Sequence, residues 1–230
     1  MKVLSIDTSN LVLSLAVVEE HKLLGEYTTN LKKNHAIRLM PAIAALMEEL
    51  DLSPSELSGI AVAHGPGSYT GVRMGVTTAK SMAWSLGIPL VGVSSLEALA
   101  ANIPYFTGRV CPLFDARRGQ AYTSLFQNGT RVQADQLCLM EEWTARLAEE
   151  AVPVLFLGDD VAIHRQTIEE KMGSLAVFGQ PEWNVPRAGY IARTGLRRLQ
   201  EGSTMDVDAF APQYLQLAEA ESKWLASQQK

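Results

Sequence analysis

The sequence predicts an α/β protein built from two similar halves, and three observations lead to this prediction. Short apolar runs of strand length alternate with longer segments of helical spacing. Two apolar strands end at Asp7 and Asp115, 108 positions apart, and each is followed by a returning strand. Because this offset is about the length of one small α/β unit, we interpret it as an internal duplication. Ile103–Pro104 is the predicted boundary between lobes 1–104 and 105–230.

The first half is predicted to contain a hairpin, a third strand and then alternating helices and strands. The turn cluster Asp7–Asn10 separates the first two strands, which return on one another. The second helix starts directly after a glycine-rich turn. These elements are predicted at residues 2–6, 11–18, 22–29, 34–50 (helix), 60–63, 70–86 (helix) and 89–93.

The second half begins in the same way as the first. Its opening strand ends in Asp115–Gly119, and Asn128–Gly129 is a strong two-residue hairpin signal that adds a further strand. The remaining elements are predicted from apolar spacing. They are strands at 109–114, 120–126, 130–134 and 154–157, and helices at 140–151, 161–172 and 187–200.

The composition excludes several classes of function. The 230 residues carry a net charge of -5 with a pI near 5.4, so the chain lacks a global basic field for tight nucleic-acid binding. Any such contact would be local or shared with a partner. Cys111 and Cys138 lie far apart without metal-ligand spacing, which predicts neither a disulfide framework nor a zinc site.

The beginning of the chain does not resemble a targeting segment. Asp7 interrupts the first apolar run, and no stretch approaches the roughly 20 apolar residues of a membrane span. We therefore expect a cytoplasmic protein without a membrane contact.

The glycine-rich stretch His64–Thr70 joins a buried strand to a helix. Gly65 and Gly67 permit backbone angles that other residues resist. A helix start also directs free N–H groups and a positive dipole end into the preceding turn. Such a junction is typical of an anion-binding site.

The helix that follows has small residues at every fourth position, namely Gly71, Gly75, Ala79 and Ala83. These residues share one face, which is bare enough for close approach of another element. Interior glycine destabilises a helix by roughly 1 kcal/mol relative to alanine, so a packing reason is expected. That face either packs in the chain's own core or docks a second protein.

The helix at 34–50 is apolar almost all round, with a narrow polar face at Arg38, Glu48 and Glu49. A helix of this type is buried on every side. Either a second subunit covers its outer face, or it is a central helix enclosed by its own chain.

The usual catalytic spacings are absent from the sequence. The four histidines do not form a metal motif, and neither a G-x-S-x-G elbow nor a Walker loop is present. We therefore predict no catalytic and no metal-ligating residues. His64 beside Ser68 is either a general base or structural. Asp7 with Thr8 and Ser9 either holds phosphate or a hydrated cation, or forms an Asx-type turn.

Four segments together carry a resemblance to a known family. They are Ile6–Ser9, His64–Gly75, Asp115–Tyr122 and Pro212–Leu215. The chain resembles the TsaB (YeaZ) family, the dimerisation subunits of the bacterial machinery that places threonylcarbamoyl on the adenosine beside the tRNA anticodon. The resemblance implies an actin-like ATPase (ASKHA) fold with two lobes, each on a ribonuclease-H-like mixed sheet flanked by helices.

The resemblance also implies a catalytic relative, TsaD, that carries a metal-binding H-x-x-x-H motif. Ser95 and Leu99 occupy the two histidine positions in this chain, and leucine cannot bind a metal. Gly158–Asp160 replaces the glycine pair that lies against a nucleotide, and two carboxylates facing phosphates repel them unless a cation intervenes. The resemblance implies no required cofactor and, at most, a degenerate nucleotide pocket at Asp7, Thr8, Ser9 and Asp115.

Two further positions qualify this resemblance. Arg117 and Arg118 add positive charge at the second hairpin, although arginines on a turn are commonly solvated. Gln216 stands where the family is expected to have arginine, which leaves the role of the tail open.

The implied function is that of a non-catalytic scaffold. Its first two helices are expected to dock on TsaD, or on a second copy when TsaD is missing, and to support TsaE, with tRNA contacted only through the complex. The interface is predicted at His35, Leu39, Ile43, Met47, Gly71, Met74, Gly75, Thr78, Ala79 and Met82. The alternatives are a stand-alone enzyme of this fold, either a peptidase or a small-molecule kinase, and a self-assembling structural module.

Overall fold

Two five-stranded mixed sheets form the framework of the molecule in the computed structural model, which describes residues 1–216. The strands of the first sheet are β1 (Lys2–Asp7), β2 (Val12–Glu19), β3 (Lys22–Asn30), β4 (Gly59–Ala63) and β5 (Leu90–Val93), in the order β3-β2-β1-β4-β5. The helices of this half are α1 (Leu39–Glu49), α2 (Tyr69–Leu86) and α3 (Ser95–Ala100).

The second sheet repeats this plan. Its strands are β6 (Arg109–Arg117), β7 (Gln120–Gln127), β8 (Thr130–Leu139), β9 (Val154–Leu157) and β10 (Ala176–Phe178), in the order β10-β9-β6-β7-β8. The helices are α4 (Met140–Glu149), α5 (Val161–Met172) and α6 (Ala188–Gln200). Both halves therefore run through the same order of elements, as the predicted duplication requires, and the predicted α/β class is confirmed.

The middle strands of each sheet are buried on both faces because helices cover both sides. β1 pairs parallel to β4 and antiparallel to β2. Its residues Val3, Leu4 and Ile6 are fully buried. This continuous apolar run is typical of a strand inside a parallel region, whereas the edge strand β3 is only partly buried.

The two halves exchange the helices α3 and α6. α3 contacts β6 and β7 of the second sheet, and α6 contacts β1, β2, β4 and β5 of the first. Gly195 permits the close approach of α6, since a Cβ atom there would lie 2.5 Å from the Cβ of Ala61. The predicted boundary at residue 104 falls in the loop between α3 and β6. However, α3 precedes this boundary and packs on the second sheet, whereas α6 follows it and packs on the first sheet. Residues 217–230 of the predicted second lobe lie outside the described residues.

The small residues of α2 face the chain's own first sheet. A Cβ atom at Gly75 would lie 2.5 Å from Oγ1 of Thr8, and Ala79 and Ala83 are buried. The Thr8 hydroxyl donates a hydrogen bond of 2.7 Å to the carbonyl of Gly71. Of the two alternatives for the small-residue face, packing in the chain's own core is therefore the one observed, because β1 and β4 cover it.

Helix α1 is not buried on every side. Leu39, Ile43 and Met47 point into the core, while Met40 and Ala44 are exposed. The segment His35–Ile37 is a separate short 3₁₀ turn, so Pro41 lies in the first turn of α1, where proline is tolerated without a bend.

After α6 the chain returns to the first sheet as a C-terminal strap, residues 205–216. Met205 forms an antiparallel bridge with Leu90, and Phe210 is buried against Gly92. Nζ of Lys80, on α2, donates to the carbonyls of Asp208 and Phe210 at 3.1 and 2.8 Å. These contacts fix the strap on the surface of the first half.

No helix within residues 1–216 is both long and apolar enough to cross a bilayer.

Candidate functional site: an inter-sheet cleft and a helical docking face

A cleft of about 780 Å³ lies where the two opening hairpins meet the strap. One wall is formed by residues 9–11 and 66–70 of the first half, and the opposite wall by residues 114–118 with Gln120, Tyr122 and Asp160. Residues 213–216 of the strap complete the lining. A cavity of this size is in the range of small-molecule sites.

The carboxyl of Asp7 is buried behind the cleft and does not line it. Its Oδ1 accepts the N–H of Ser9 at 2.8 Å, which is the Asx-type turn considered above. Its Oδ2 has no hydrogen-bond partner among residues 1–216, and burial raises the pKa of Asp7. Thr8 is also occupied internally, so only Ser9 of this predicted trio lines the cleft.

The glycine-rich turn is packed against the same Asp7–Asn10 turn. The N–H of Ser68 donates to the carbonyl of Ser9 at 2.7 Å, and Gly67 lies directly against that carbonyl. The hydroxyl of Ser68 caps α2 by accepting the N–H of Gly71 at 3.4 Å. The chain itself therefore occupies part of the predicted anion site.

His64 is held in a structural position. Its Nδ1 lies 2.8 Å from the carbonyl of Val93, and its ring packs against Phe210 with centroids 5.9 Å apart. Burial lowers the pKa of His64. Within residues 1–216, no group of three or more His, Cys, Asp or Glu residues could hold a metal ion.

Asp115, on the far wall, belongs to a cluster that the sequence did not reveal. Its Oδ1 lies 3.0 Å from Nε2 of the buried His164, and Oδ2 of Asp160 accepts the backbone N–H of Asp115 at 2.9 Å. Burial raises the pKa of Asp160. The neighbouring Asp159 instead bonds the side chain of Asn30, so Asp160 alone of this pair lines the cleft.

The mouth of the cleft carries aromatic and cationic side chains. Tyr69 and Tyr214 are stacked with centroids 5.2 Å apart, and the guanidinium of Arg73 lies 5.1 Å from the Tyr69 ring centroid. Arg117 and Arg118 are exposed and have positive φ values of 68° and 54° at the β6–β7 turn. The left-handed turn holds both arginines at the end of the hairpin.

The predicted docking residues do not form one exposed surface. Six of them are buried in the chain's own core and cannot reach a partner in this state: Leu39, Ile43, Met47, Gly71, Gly75 and Ala79. The other four, His35, Met74, Thr78 and Met82, are half-buried. These six residues lie on the inner face of each helix. They were predicted as an interface because apolar and small residues indicate a buried face but not which element or protein covers it.

The outward surface of the same helices is apolar at residues outside the predicted interface. Ile37 and Trp84 are each 74% exposed and Met40 is 52% exposed. A shallow depression, here called the outer groove, is lined mainly by α1 and α2 and also by Val207 and Asp208 of the strap; its helical lining includes Met40, Thr77, Thr78, Lys80, Ser81, Met82 and Trp84. The four-residue spacing of the exposed residues Met40 and Ala44 on α1 was the available signal.

Ser95 and Leu99 are fully buried at the start and in the body of α3. Leu99 packs in a cluster with Val110, Phe114 and Leu157 of the second sheet. Leu99, at one of the two expected histidine positions, is therefore part of the packed contact between the halves.

Comparisons with known proteins agree on one family. Residues 22–224 match the family model described as TsaD, tRNA N6-adenosine threonylcarbamoyltransferase. The tRNA threonylcarbamoyladenosine biosynthesis protein TsaB of Bacillus subtilis is 49% identical over 232 residues, which is 99% of this chain and 100% of that protein.

Solved structures show the same fold. YeaZ from Pseudomonas aeruginosa matches with a TM-score of 0.75 at 24% identity, covering 93% of this chain and 99% of that one. Component A of (R)-2-hydroxyglutaryl-CoA dehydratase from Acidaminococcus fermentans matches with a TM-score of 0.52 at 10% identity, covering 87% and 99%. The predicted actin-like ATPase fold is thereby confirmed.

Proposed function

The chain belongs to the TsaB family of tRNA threonylcarbamoyladenosine biosynthesis proteins, and from this premise we propose that it is a non-catalytic subunit that activates TsaD. It would do so in the cytoplasm as a heterodimer, with TsaE and tRNA joining the complex. In isolation a second copy would take the place of TsaD.

The observation that carries this proposal is the outer groove on α1 and α2. Trp84 and Met40 are large apolar side chains that are exposed and that line this groove together. Contiguous exposed apolar surface marks interaction sites, and tryptophan is enriched among residues that dominate binding. The proposed docking surface is therefore the outer face of α1 and α2 and not the predicted inner face, and Thr78 and Met82 of the predicted set line the outer groove.

The described side chains favour a subunit without its own chemistry. His64 is bonded to a backbone carbonyl, and a peptidase would need an oriented base and nucleophile or a metal. Leu99 at one expected histidine position is packed in the core. The alternative of a stand-alone peptidase therefore has no support among residues 1–216.

The cleft has the character of a degenerate nucleotide pocket rather than a working one. Asp115 and Asp160 line it, while Asp7 and Thr8 are occupied behind it. Carboxylates repel a triphosphate unless a cation intervenes. No cofactor is required in the proposed role, and the small-molecule kinase alternative would demand firm nucleotide binding by the isolated chain.

Activation would act through the arrangement of the partner. A subunit that binds one arrangement of TsaD more tightly than others shifts its population toward that arrangement. Docking through the outer groove of α1 and α2 leaves the cleft free for further components, because the groove and the cleft have no lining residue in common.

Reconstituted threonylcarbamoyl transfer with purified TsaD tests the proposal. Trp84→Ala should weaken the heterodimer by roughly thirtyfold, the effect of losing a hot-spot side chain, and should lower the transfer rate at limiting concentration. Tyr105→Ala removes another highly exposed aromatic ring and is the matched control. Full transfer without this chain, or an unchanged heterodimer with Trp84→Ala, would overturn the proposal or its docking surface, respectively.

A further inference from the structure

We propose that the mouth of the cleft binds a nucleotide of single-stranded RNA, with an unpaired base stacked on the Tyr69–Tyr214 pair and adjoining phosphates on Arg117 and Arg118. This inference rests on the proposed function, because it assigns to this chain a direct contact with the RNA that the complex modifies.

The stacking platform is already assembled. The Tyr69 and Tyr214 ring centroids are 5.2 Å apart at 30°, and the guanidinium carbon of Arg73 lies 5.1 Å from the Tyr69 centroid. The hydroxyl of Tyr69 accepts a hydrogen bond of 2.8 Å from Arg73. Tyr69 and Tyr214 are nevertheless 48% and 46% exposed. A stacked pair with this much open surface can be extended by one more flat ring.

The strap holds Tyr214 in place. The N–H of Gln213 donates to the carbonyl of His64 at 2.7 Å, and Phe210 is buried three positions earlier. On the other side, the hydroxyl of Tyr122 donates to Oε1 of Gln216 at 3.2 Å. The platform is therefore preorganised, which reduces the ordering cost of binding.

The charges at the mouth suit a phosphate backbone better than the acidic chain as a whole suggests. Arg117 and Arg118 are exposed and line the cleft. Of the two carboxylates in the lining, Asp115 is paired with His164, and Asp160 accepts a backbone N–H. Guanidinium groups beside exposed aromatic rings are the chemistry by which proteins bind single-stranded nucleic acids.

A free nucleotide offers the same base and phosphate chemistry as a nucleotide within RNA. RNA is favoured because both rings and both arginines are exposed as well as lining the cleft, so a bound nucleotide need not be enclosed and can be part of a longer strand. The two sources are separated by the experiment.

Fluorescence anisotropy with a labelled single-stranded oligoribonucleotide of about eight residues, a length within the range of single-strand sites, tests the platform. The full chain should be measured alone and as the heterodimer with TsaD. Tyr214→Ala should weaken binding roughly fivefold to a hundredfold, the range for losing one base–aromatic stack. Tyr214→Phe should bind as the wild type does, because it keeps the ring, and Tyr105→Ala is the control at a ring outside the cleft.

The double variant Arg117→Ala with Arg118→Ala tests the phosphate contacts. Its affinity should depend less on salt, with the slope of log K against log salt falling by about 0.7 for each phosphate that the variant no longer neutralises. Arg193→Ala, at an exposed arginine of α6, is the matched control and should leave the slope unchanged.

Wild-type RNA binding by both Tyr214→Ala and the arginine double variant, alone and in the heterodimer, would overturn the inference. Adenosine monophosphate provides the second arm: binding of it that depends on Tyr214, with RNA binding unaffected, would assign the site to a free nucleotide and also overturn the RNA contact. Heterodimer formation is measured in parallel. If the proposed function is wrong, the wild-type chain should fail to form a heterodimer with TsaD, whether or not it binds RNA.

Discussion

Residue 75 is glycine because a Cβ atom there would lie only 2.5 Å from Oγ1 of Thr8. At Gly195 the neighbour is Ala61, at the same distance. At this scale the sequence is explained by contacts between residues far apart along the chain. A glycine inside either helix therefore indicates a close contact between that helix and a neighbouring element.

Gly75→Ala should lower the free energy of unfolding by about 1–2 kcal/mol. Overpacking a core costs about 1–3 kcal/mol, and the better helix propensity of alanine returns up to about 1 kcal/mol. In thermal unfolding this corresponds to a fall of roughly 2–4 °C in Tm for each kcal/mol. Thr77→Ala, on the exposed side of α2, should leave Tm nearly unchanged. An equal or higher Tm for Gly75→Ala would contradict the packing described.

Asp7→Asn should become more stable relative to the wild type as pH rises. Burial raises the pKa of Asp7 above its ordinary value of 3.8, so the native state favours the protonated carboxyl. Its stabilising contribution is present below the unfolded pKa and is lost as pH rises through the folded pKa. Asparagine cannot ionise, and its Oδ1 can still accept the N–H of Ser9.

Urea unfolding of both proteins from acid to neutral pH measures this difference, which should grow through that range and then level off. Asp51→Asn, at an exposed aspartate, provides the control. A difference that shrinks with rising pH would contradict the raised pKa of Asp7.

At the scale of the element, α2 has two faces with different roles. The face with Gly71, Gly75 and Ala79 is covered by β1 and β4, and the face with Thr77, Ser81 and Trp84 is exposed. Lys80 lies at the border and holds the strap by two carbonyl oxygens. One helix therefore connects the first sheet, the outer groove and the strap.

The sequence predicted nearly all of the strands and helices because their apolar periodicity is local. α3 and β10 were missed because six and three residues are too few to establish a period. The helical stripe of α2 was predicted correctly, but the sequence left open whether the chain's own core or a second protein covers it, since periodicity reveals a buried face without the identity of its cover. His164 beside Asp115 and Phe210 over Gly92 escaped prediction because each pair is distant in sequence.

Phe210→Ala should release the strap and lower the free energy of unfolding by about 3 kcal/mol. Phe210 is 8% exposed and fills space above Gly92 and His64, and truncating a buried phenylalanine costs about 3–5 kcal/mol. Hydrogen exchange should show faster exchange at the Gln213 N–H, whose bond to His64 depends on the strap. Tyr105→Ala serves as the control, and unchanged exchange at Gln213 in Phe210→Ala would contradict the anchoring.

At the scale of the whole molecule, charged side chains join the two halves. Glu97 of α3 bonds Arg198 of α6 and Arg131 of β8, each at 3.0 Å. Arg198 also donates to the carbonyl of Gly92 at 2.5 Å. Since α3 and α6 each cover the opposite sheet, the two halves are interlocked rather than simply adjacent.

A fragment containing residues 1–104 should fail to unfold cooperatively. It lacks α6, so Val3, Ala61 and Val91, which pack with Ile191 and Ala192, would be exposed to water. Binding of a hydrophobic dye and the loss of a sharp thermal transition measure this outcome. Residues 1–216 are the control, and a cooperative transition in the short fragment would contradict the interlocking.

The exchanged helices also govern how the protein is made. A ribosome finishes β5 long before it reaches α6, and the hundred or so intervening residues require roughly 5–20 s of synthesis. During that time one apolar face of the nascent first sheet is not yet covered by α6. Val3, Ala61 and Val91 can therefore reach their final packing only after α6 has been synthesised.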